Sequence, residues 1–214
     1  MIKIKYFLVL LWVLMMNTTA FAIPIKLMVF GDSLSVGYHL PAQDAFYSKL
    51  QEKLQKHGYD VVVINYSKSG ETSAGGVSKL DASLQKKPDA VLLELGINDV
   101  LHGIALTATE NNLQKIIDGF QTQKVPILLI GMEAPVVMGY SYRQAFKKMY
   151  QSLAKKNNLM LYPFFMDGLW NPNGQQKNVD YFLPDGLHPT AQGVEIMTTN
   201  ILPTVEKFLK TKIK

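Results

Sequence analysis

The sequence predicts an α/β domain built on a doubly wound, five-stranded parallel sheet with helices on both faces. From Ile25 onward, five short and nearly continuous apolar runs alternate with longer segments of helical period. Strands that are apolar on both sides belong to a sheet covered on both faces. No repeat, low-complexity stretch or linker divides the chain, and 214 residues leave room for one substantial domain. With 48% hydrophobic and 18% charged residues, the composition is globular and too apolar for disorder.

The elements follow in order. Ile25 to Phe30 reads as the first strand. Asp44 to His57 is a helix with Ala45, Phe46, Leu50 and Leu54 on its inner face and Gly58 as its stop. Val61 to Ile64 is the second strand, followed by a helical stretch through Leu80 and Leu84. Val91 to Leu95 is the third, followed by a helix that places Leu113, Ile116, Ile117 and Phe120 on one face. Pro126 to Ile130 is the fourth, followed by a helix carrying Phe146, Met149, Tyr150 and Leu153. Leu159 to Tyr162 is a short fifth, and the last helix runs from about Thr190 and is interrupted or kinked at Pro203.

Residues 1–22 stand apart from this pattern. Lys3 and Lys5 precede an uncharged apolar run of about 11 residues, Tyr6 to Met16, and Ala20-Phe21-Ala22 fits a small-x-small cleavage site. This reads as a secretory signal peptide, since a membrane-spanning helix needs about 20 apolar residues. The expectation is a domain of residues 23–214 in the periplasm or secreted, without a stable membrane anchor. Lys3 and Lys5 are two of the 22 basic residues, so removing them leaves 20 against 17 acidic ones and a charge of +3. That is too weak an excess to argue for nucleic acid. The absence of cysteine excludes a disulfide framework, a thiolate nucleophile and a Cys-ligated zinc site. Covalent chemistry here must use oxygen or nitrogen.

In a doubly wound sheet a ligand sits beyond the carboxyl ends of the strands, where the strand order reverses. The residues that follow the strands are therefore the ones to inspect. After the first strand comes Gly31-Asp32-Ser33-Leu34-Ser35. A serine in a tight strand-to-helix turn presents its hydroxyl at the sheet edge beside backbone N–H groups, as an acyl-transfer nucleophile requires. The same residues also read as an ordinary turn with Asp32 or Ser33 as a helix cap. After the third strand comes Gly96-Ile97-Asn98-Asp99, in which Asn98 is either an amide donor for an oxyanion or half of a common turn pair.

Before the last helix lies Pro184-Asp185-Gly186-Leu187-His188-Pro189. An aspartate three residues before a histidine can accept Nδ1–H and leave Nε2 as a base. Metal ligation is disfavoured because no second histidine or carboxylate pair nearby has ligand spacing. Of the other histidines, His57 sits at a helix end, and His39 and His102 lie on loops without a matching aspartate. After the second strand, Ser67-Lys68-Ser69-Gly70-Glu71-Thr72-Ser73 is a turn whose N–H groups suit an anion, without the full P-loop pattern.

Taken in order, the four blocks Gly-Asp-Ser-Leu-Ser, Ser-Gly-Glu-Thr-Ser, Gly-Ile-Asn-Asp and Asp-Gly-Leu-His-Pro resemble the SGNH (GDSL) hydrolase family across nearly all of the chain after residue 22. Val91-Leu92-Leu93-Glu94-Leu95 and Leu161 to Met166 look closest to its periplasmic thioesterase I, arylesterase and lysophospholipase branch. Ile97 stands where that branch more usually has glycine. The resemblance implies a flavodoxin-like sheet with strand one beside strand three, on opposite sides of the switch point. It implies Ser33 as nucleophile, His188 as general base and Asp185 as the residue that orients the imidazole. The oxyanion hole it implies is the Ser33 and Gly70 backbone N–H groups with the Asn98 amide.

The expected activity is a monomeric serine esterase that hydrolyses carboxylic esters and thioesters through an acyl-enzyme, with no metal or organic cofactor. The rival enzyme is a carbohydrate or peptidoglycan O-acetyl esterase. A non-catalytic lipid or anion binding module is the rival from another class, disfavoured because a binder needs no nucleophile and base. The segment Met132 to Tyr142, rich in Pro, Val, Met and Tyr, suits an acyl chain better than a sugar. Met132, Pro135, Val136 and Tyr140 are its candidate substrate-binding residues.

Overall fold

The computed structural model describes residues 23–170 and 176–213. The signal-peptide expectation for residues 1–22 lies outside the described residues. Five parallel strands, β1 (Ile25–Phe30), β2 (Val61–Asn65), β3 (Ala90–Leu93), β4 (Ile127–Ile130) and β5 (Met160–Tyr162), form one sheet in the order β2-β1-β3-β4-β5. The order reverses between β1 and β3, so the crevice of the sheet opens where the chain leaves those two strands. The register runs from Leu27 opposite Ala90 to Phe30 opposite Leu93, which brings the ends of β1 and β3 level.

The helices are α1 (Ser33–Val36), α2 (Phe46–Lys56), α3 (Ser73–Leu84), α4 (Ile97–Leu101), α5 (Leu106–Thr122), α6 (Tyr140–Lys156) and α7 (Ala191–Lys212). Helix α2 packs with α7, while α3 packs with α5 and α5 with α6, so two helical layers enclose the sheet. The apolar periodicity decides which faces turn inward: Leu50 and Leu54 of α2, and Leu113, Ile116, Ile117 and Phe120 of α5, have no exposed surface. Each such side chain contributes on the order of 1.5–3 kcal/mol on leaving water. At the centre, Phe30 meets Phe120 edge-on with ring centroids 5.7 Å apart.

Three local expectations change. The helix expected from Asp44 is a 3-10 turn at Ala42–Asp44 followed by α2, because Ala45 between them is extended (φ −70°, ψ 152°). Its methyl fills the space above Gly37, whose φ of +77° closes α1. The last helix is not interrupted at Pro203, since the proline and Thr199, whose carbonyl loses the N–H it would have bonded, both lie on the exposed face. One-turn helices follow β1 and β3 directly: α1 begins at Ser33 itself, and α4 begins one residue before Asn98.

Candidate active site

The site is assembled by hydrogen bonds between the loops at the carboxyl edge of the sheet. Asp32 caps α1, its Oδ1 accepting the Leu34 N–H at 2.9 Å, and this places Ser33 at the first helical position, where its own N–H has no carbonyl in the helix to bond. The capped-turn reading and the nucleophile reading of these residues describe the same geometry, and Ser33 itself is largely buried. The second loop joins β1 through the Lys68 N–H, which donates to the Gly31 carbonyl at 3.2 Å.

Asn98 ties the third loop to the other two. Its Nδ2 lies 3.0 Å from Asp32 Oδ2 and 3.1 Å from the Glu71 carbonyl, and the side chain is buried. Gly70, which precedes Glu71, sits on an exposed turn with φ of +74°, and it is not among the residues that line the pocket described below. Gly96 has φ of +127°, and the Tyr150 hydroxyl occupies the place a Cβ would take while it donates to the Leu95 carbonyl at 2.8 Å. Burial pushes the Tyr150 hydroxyl well above the ordinary phenol value. The glycine there admits a neighbouring side chain rather than a ligand.

The last loop carries the base. A turn closed by the Leu183 N–H on the His188 carbonyl at 2.8 Å folds Asp185 back on His188. Asp185 Oδ1 accepts the N–H groups of Leu187 at 2.8 Å and His188 at 3.0 Å, and Oδ2 lies 2.8 Å from His188 Nδ1. Its partial burial alone would raise its pKa, but the backbone N–H groups of His188 and Leu187 and the His188 ring outweigh that and hold it at about 2, below its ordinary 3.8. A carboxylate only accepts, so Nδ1 carries the ring proton and Nε2 faces the Ser33 hydroxyl at 2.9 Å as an acceptor. Ser33, Asp185 and His188, 155 residues apart at their extremes, thus form one continuous chain of hydrogen bonds.

Several contributors had no signal in the sequence reading. Tyr38 places its ring 4.3 Å from that of His188 and 4.0 Å from His39, bracing the imidazole. Asp99 is fully buried and accepts the Ser73 N–H at 2.8 Å and the Thr109 hydroxyl at 3.1 Å, pinning α3 and α5 to α4. Glu94 passed unremarked within the third apolar run, where a lone carboxyl was the signal that could have found it. It has no exposed surface and accepts the Ser35 hydroxyl at 2.8 Å.

Ser33 and His188 open into a pocket of about 270 Å³, near the small end of ligand pockets, which run from about 300 Å³ upward. Its lining includes the buried Asn98, Met132, Ala134 and Met166, the half-buried Ile97, Pro135, Phe164 and Trp170, and the exposed Leu101, Val136 and Leu187. Of the four candidate substrate-binding residues, Met132, Pro135 and Val136 line this pocket. Tyr140 is not among the lining residues: it begins α6 directly after Gly139, at φ of +79°, and is 76% exposed. Val137 is likewise 89% exposed, whereas Phe165 and Leu169 belong to the core. Arg143 donates to the Ala134 carbonyl at 3.1 Å and to Glu133 at 3.4 Å, fastening the pocket loop to α6.

A sequence model of the GDSL-like lipase/acylhydrolase family matches residues 29–196. Esterase TesA of Pseudomonas aeruginosa is 34% identical over 184 residues, covering 86% of this chain and 89% of its own length. Thioesterase 1/protease 1/lysophospholipase L1 of Escherichia coli strain K12 is 37% identical over 165 residues, 76% of this chain and 74% of its own. A crystal structure of TesA superposes with a TM-score of 0.79 at 34% identity, covering 86% of this chain and 99% of that one.

The depressed Asp185 carboxyl makes a pH prediction. A carboxyl whose folded pKa lies below its unfolded value contributes stability above about pH 4 and loses it as the pH falls toward about 2. Urea unfolding of wild type and Asp185→Asn should therefore differ fully above about pH 5, less as the pH falls, and converge only at about pH 2 and below. A difference that persists unchanged at the acid end would show that the hydrogen-bonded carboxylate is not its source.

Proposed function

The chain belongs to the GDSL-like lipase/acylhydrolase family and is an enzyme, and we propose that it hydrolyses carboxylic esters and thioesters of acyl groups through an acyl-enzyme on Ser33. The observation that carries this reading is the chain of hydrogen bonds from Asp185 through His188 to Ser33, ending in a pocket with mostly apolar walls.

The Ser33 oxygen attacks the acyl carbon while His188 Nε2 takes the hydroxyl proton, and Asp185 stabilises the imidazolium that forms. Negative charge moves onto the carbonyl oxygen, where the N–H groups of Ser33 and Gly70 and the Asn98 amide receive it. One Asn98 N–H is anchored by the Asp32 carboxylate. The other rests on the Glu71 carbonyl, and an oxyanion within its reach is the stronger acceptor. The imidazolium then returns its proton to the departing alkoxide or thiolate. Water, deprotonated by the same nitrogen, releases the acid and restores Ser33.

The pocket walls favour an acyl chain over a sugar. Met132 and Met166 supply flexible side chains that repack around chains of different length. Residues 1–22 act as an export signal in this reading. Among the described residues no helix is long and apolar enough to cross a membrane.

Three measurements test the proposal. A fluorophosphonate probe should label the wild type at Ser33 and fail to label Ser33→Ala, whose ester hydrolysis should fall by more than about a thousandfold. A folded Ser33→Ala protein that keeps a tenth of the activity would mean a different nucleophile. Across p-nitrophenyl esters of graded length, kcat/KM should rise by up to about fourfold per methylene until the pocket is filled, then level or fall. A preference for acetyl over hexanoyl and octanoyl esters would remove the acyl-pocket reading. Intact-mass analysis of the exported protein should find a chain starting at Ile23, and retention of Met1 there would exclude cleavage.

A further inference from the structure

Beneath the nucleophile turn lie two carboxyl groups that the steps of acyl transfer leave unused. Asp32 and Glu94 are both fully buried. Glu94 Oε2 accepts the Asp32 backbone N–H at 3.2 Å and the Ser35 hydroxyl at 2.8 Å, and Glu94 Oε1 is buried without a hydrogen-bond partner. Asp32 engages both of its oxygens, one with the Leu34 N–H and one with the Asn98 amide. The Glu94 carboxyl sits directly against the Asp32 backbone, and the two acids share one buried site beneath the turn. Gly31 makes this approach possible, since a Cβ there would stand 2.7 Å from Glu94 Oε2 and 2.5 Å from the Ser35 hydroxyl.

Two buried carboxylates in contact cannot both stay ionised without a cation between them. The charged and titratable groups around the pair supply none. Lys79 of α3 is the cation whose charge acts on Asp32, but it is paired with Glu71 at 3.0 Å and donates to the Tyr66 carbonyl at 2.9 Å. Asp99 of α4 and Tyr150 of α6 bring no positive charge: Asp99 is itself a buried carboxyl held by Ser73 and Thr109, and the Tyr150 hydroxyl donates to the Leu95 carbonyl. Of the two carboxyls, Asp32 has donors on both oxygens and is the better place for the charge. Glu94, with one oxygen unpartnered, is the better place for the proton.

We propose that Glu94 is a neutral carboxylic acid that donates its proton as a hydrogen bond to the Asp32 carboxylate, and that it thereby acts as a positioning residue for the oxyanion site. The effect is transmitted in two steps. Glu94 holds Asp32, and Asp32 holds both the first turn of α1, on which Ser33 stands, and the Asn98 amide. Burial acts in the same direction, raising both carboxyls and Glu94 well above its ordinary value. The catalytic part of this inference rests on the acyl-transfer reading above, whereas the protonation state does not.

The test uses the chain with its glutamate side-chain carboxyls labelled with carbon-13 and followed by NMR in the resting enzyme. One glutamate should remain protonated at pH 7, far above the ordinary value of about 4.3, and its signal should be missing from Glu94→Gln. If every glutamate is ionised at pH 7, or if the protonated signal survives in Glu94→Gln, the proposal fails whatever the activity shows. In ester hydrolysis, Glu94→Gln keeps a neutral N–H donor and should hold kcat within about threefold. Glu94→Leu removes the donor and should lower kcat by about tenfold or more with little change in KM. Equal kcat values for folded Gln and Leu variants would overturn the positioning role, and if the Leu variant does not fold, loss of kcat beyond about tenfold in Glu94→Gln does so instead. Fluorophosphonate labelling of wild-type Ser33 tests the acyl-transfer reading separately.

Discussion

The hydrogen bond between the Asn98 amide and Asp32, 3.0 Å long, spans the crevice at which the sheet reverses its strand order. The chain leaves β1 and β3 on opposite sides of that crevice, and the sheet itself controls only where the two strands end. What happens one or two residues later depends on polar contacts between loops. Asp32 meets several of these needs at once, capping α1 under Ser33, receiving Asn98 and standing against Glu94. The same amide reaches the Glu71 carbonyl, so the second loop is drawn into register with the first and third. A site assembled in this way has few independent parts, and loss of one tie releases several groups together.

This arrangement places buried polarity directly beneath the reacting atoms. Asp32, Glu94 and Asp99 are all fully buried within one layer of loops, and each is held by N–H or O–H donors rather than by a dedicated cation. Buried carboxyls weaken a fold unless their hydrogen bonds are met, so they specify geometry at some expense in stability. The base is treated differently. Asp185 is 37% exposed, and its depressed pKa comes from three donors in a tight turn, so it stays ionised close to water. One end of the site is organised by a carboxyl kept charged and the other by a pair in which a proton is retained.

The pocket divides the same loops by function. Met132 and Met166 are almost completely buried and face the cavity, whereas Phe165, between Phe164 and Met166, packs edge-on against Phe46 with centroids 4.7 Å apart. Neighbouring apolar residues thus serve the core and the pocket by turns. Arg143 secures the backbone at Ala134, while the tip of the loop at Val136 and Val137 remains at the surface.

The amino-acid sequence by itself determined the class of sheet, the order of its elements and the four loops that meet at its edge. Apolar runs with no polar face can form only strands covered on both sides, and the periodicity of residues such as Leu113, Ile116, Ile117 and Phe120 admits one buried face. Ser33, Asn98, Asp185 and His188 stood out as candidates because each follows a strand or precedes a helix, and it was the order of the four blocks, with its family resemblance, that attached roles to them. Tyr140 was misassigned to the pocket because apolar composition does not say which way a loop residue points. Tyr38, Asp99 and the Asp32–Glu94 pair belong to the tertiary structure alone. Their roles arise from contacts between segments many residues apart, 62 in the case of Asp32 and Glu94, and a buried carboxyl in sequence looks the same as a solvated one until the fold removes the water around it.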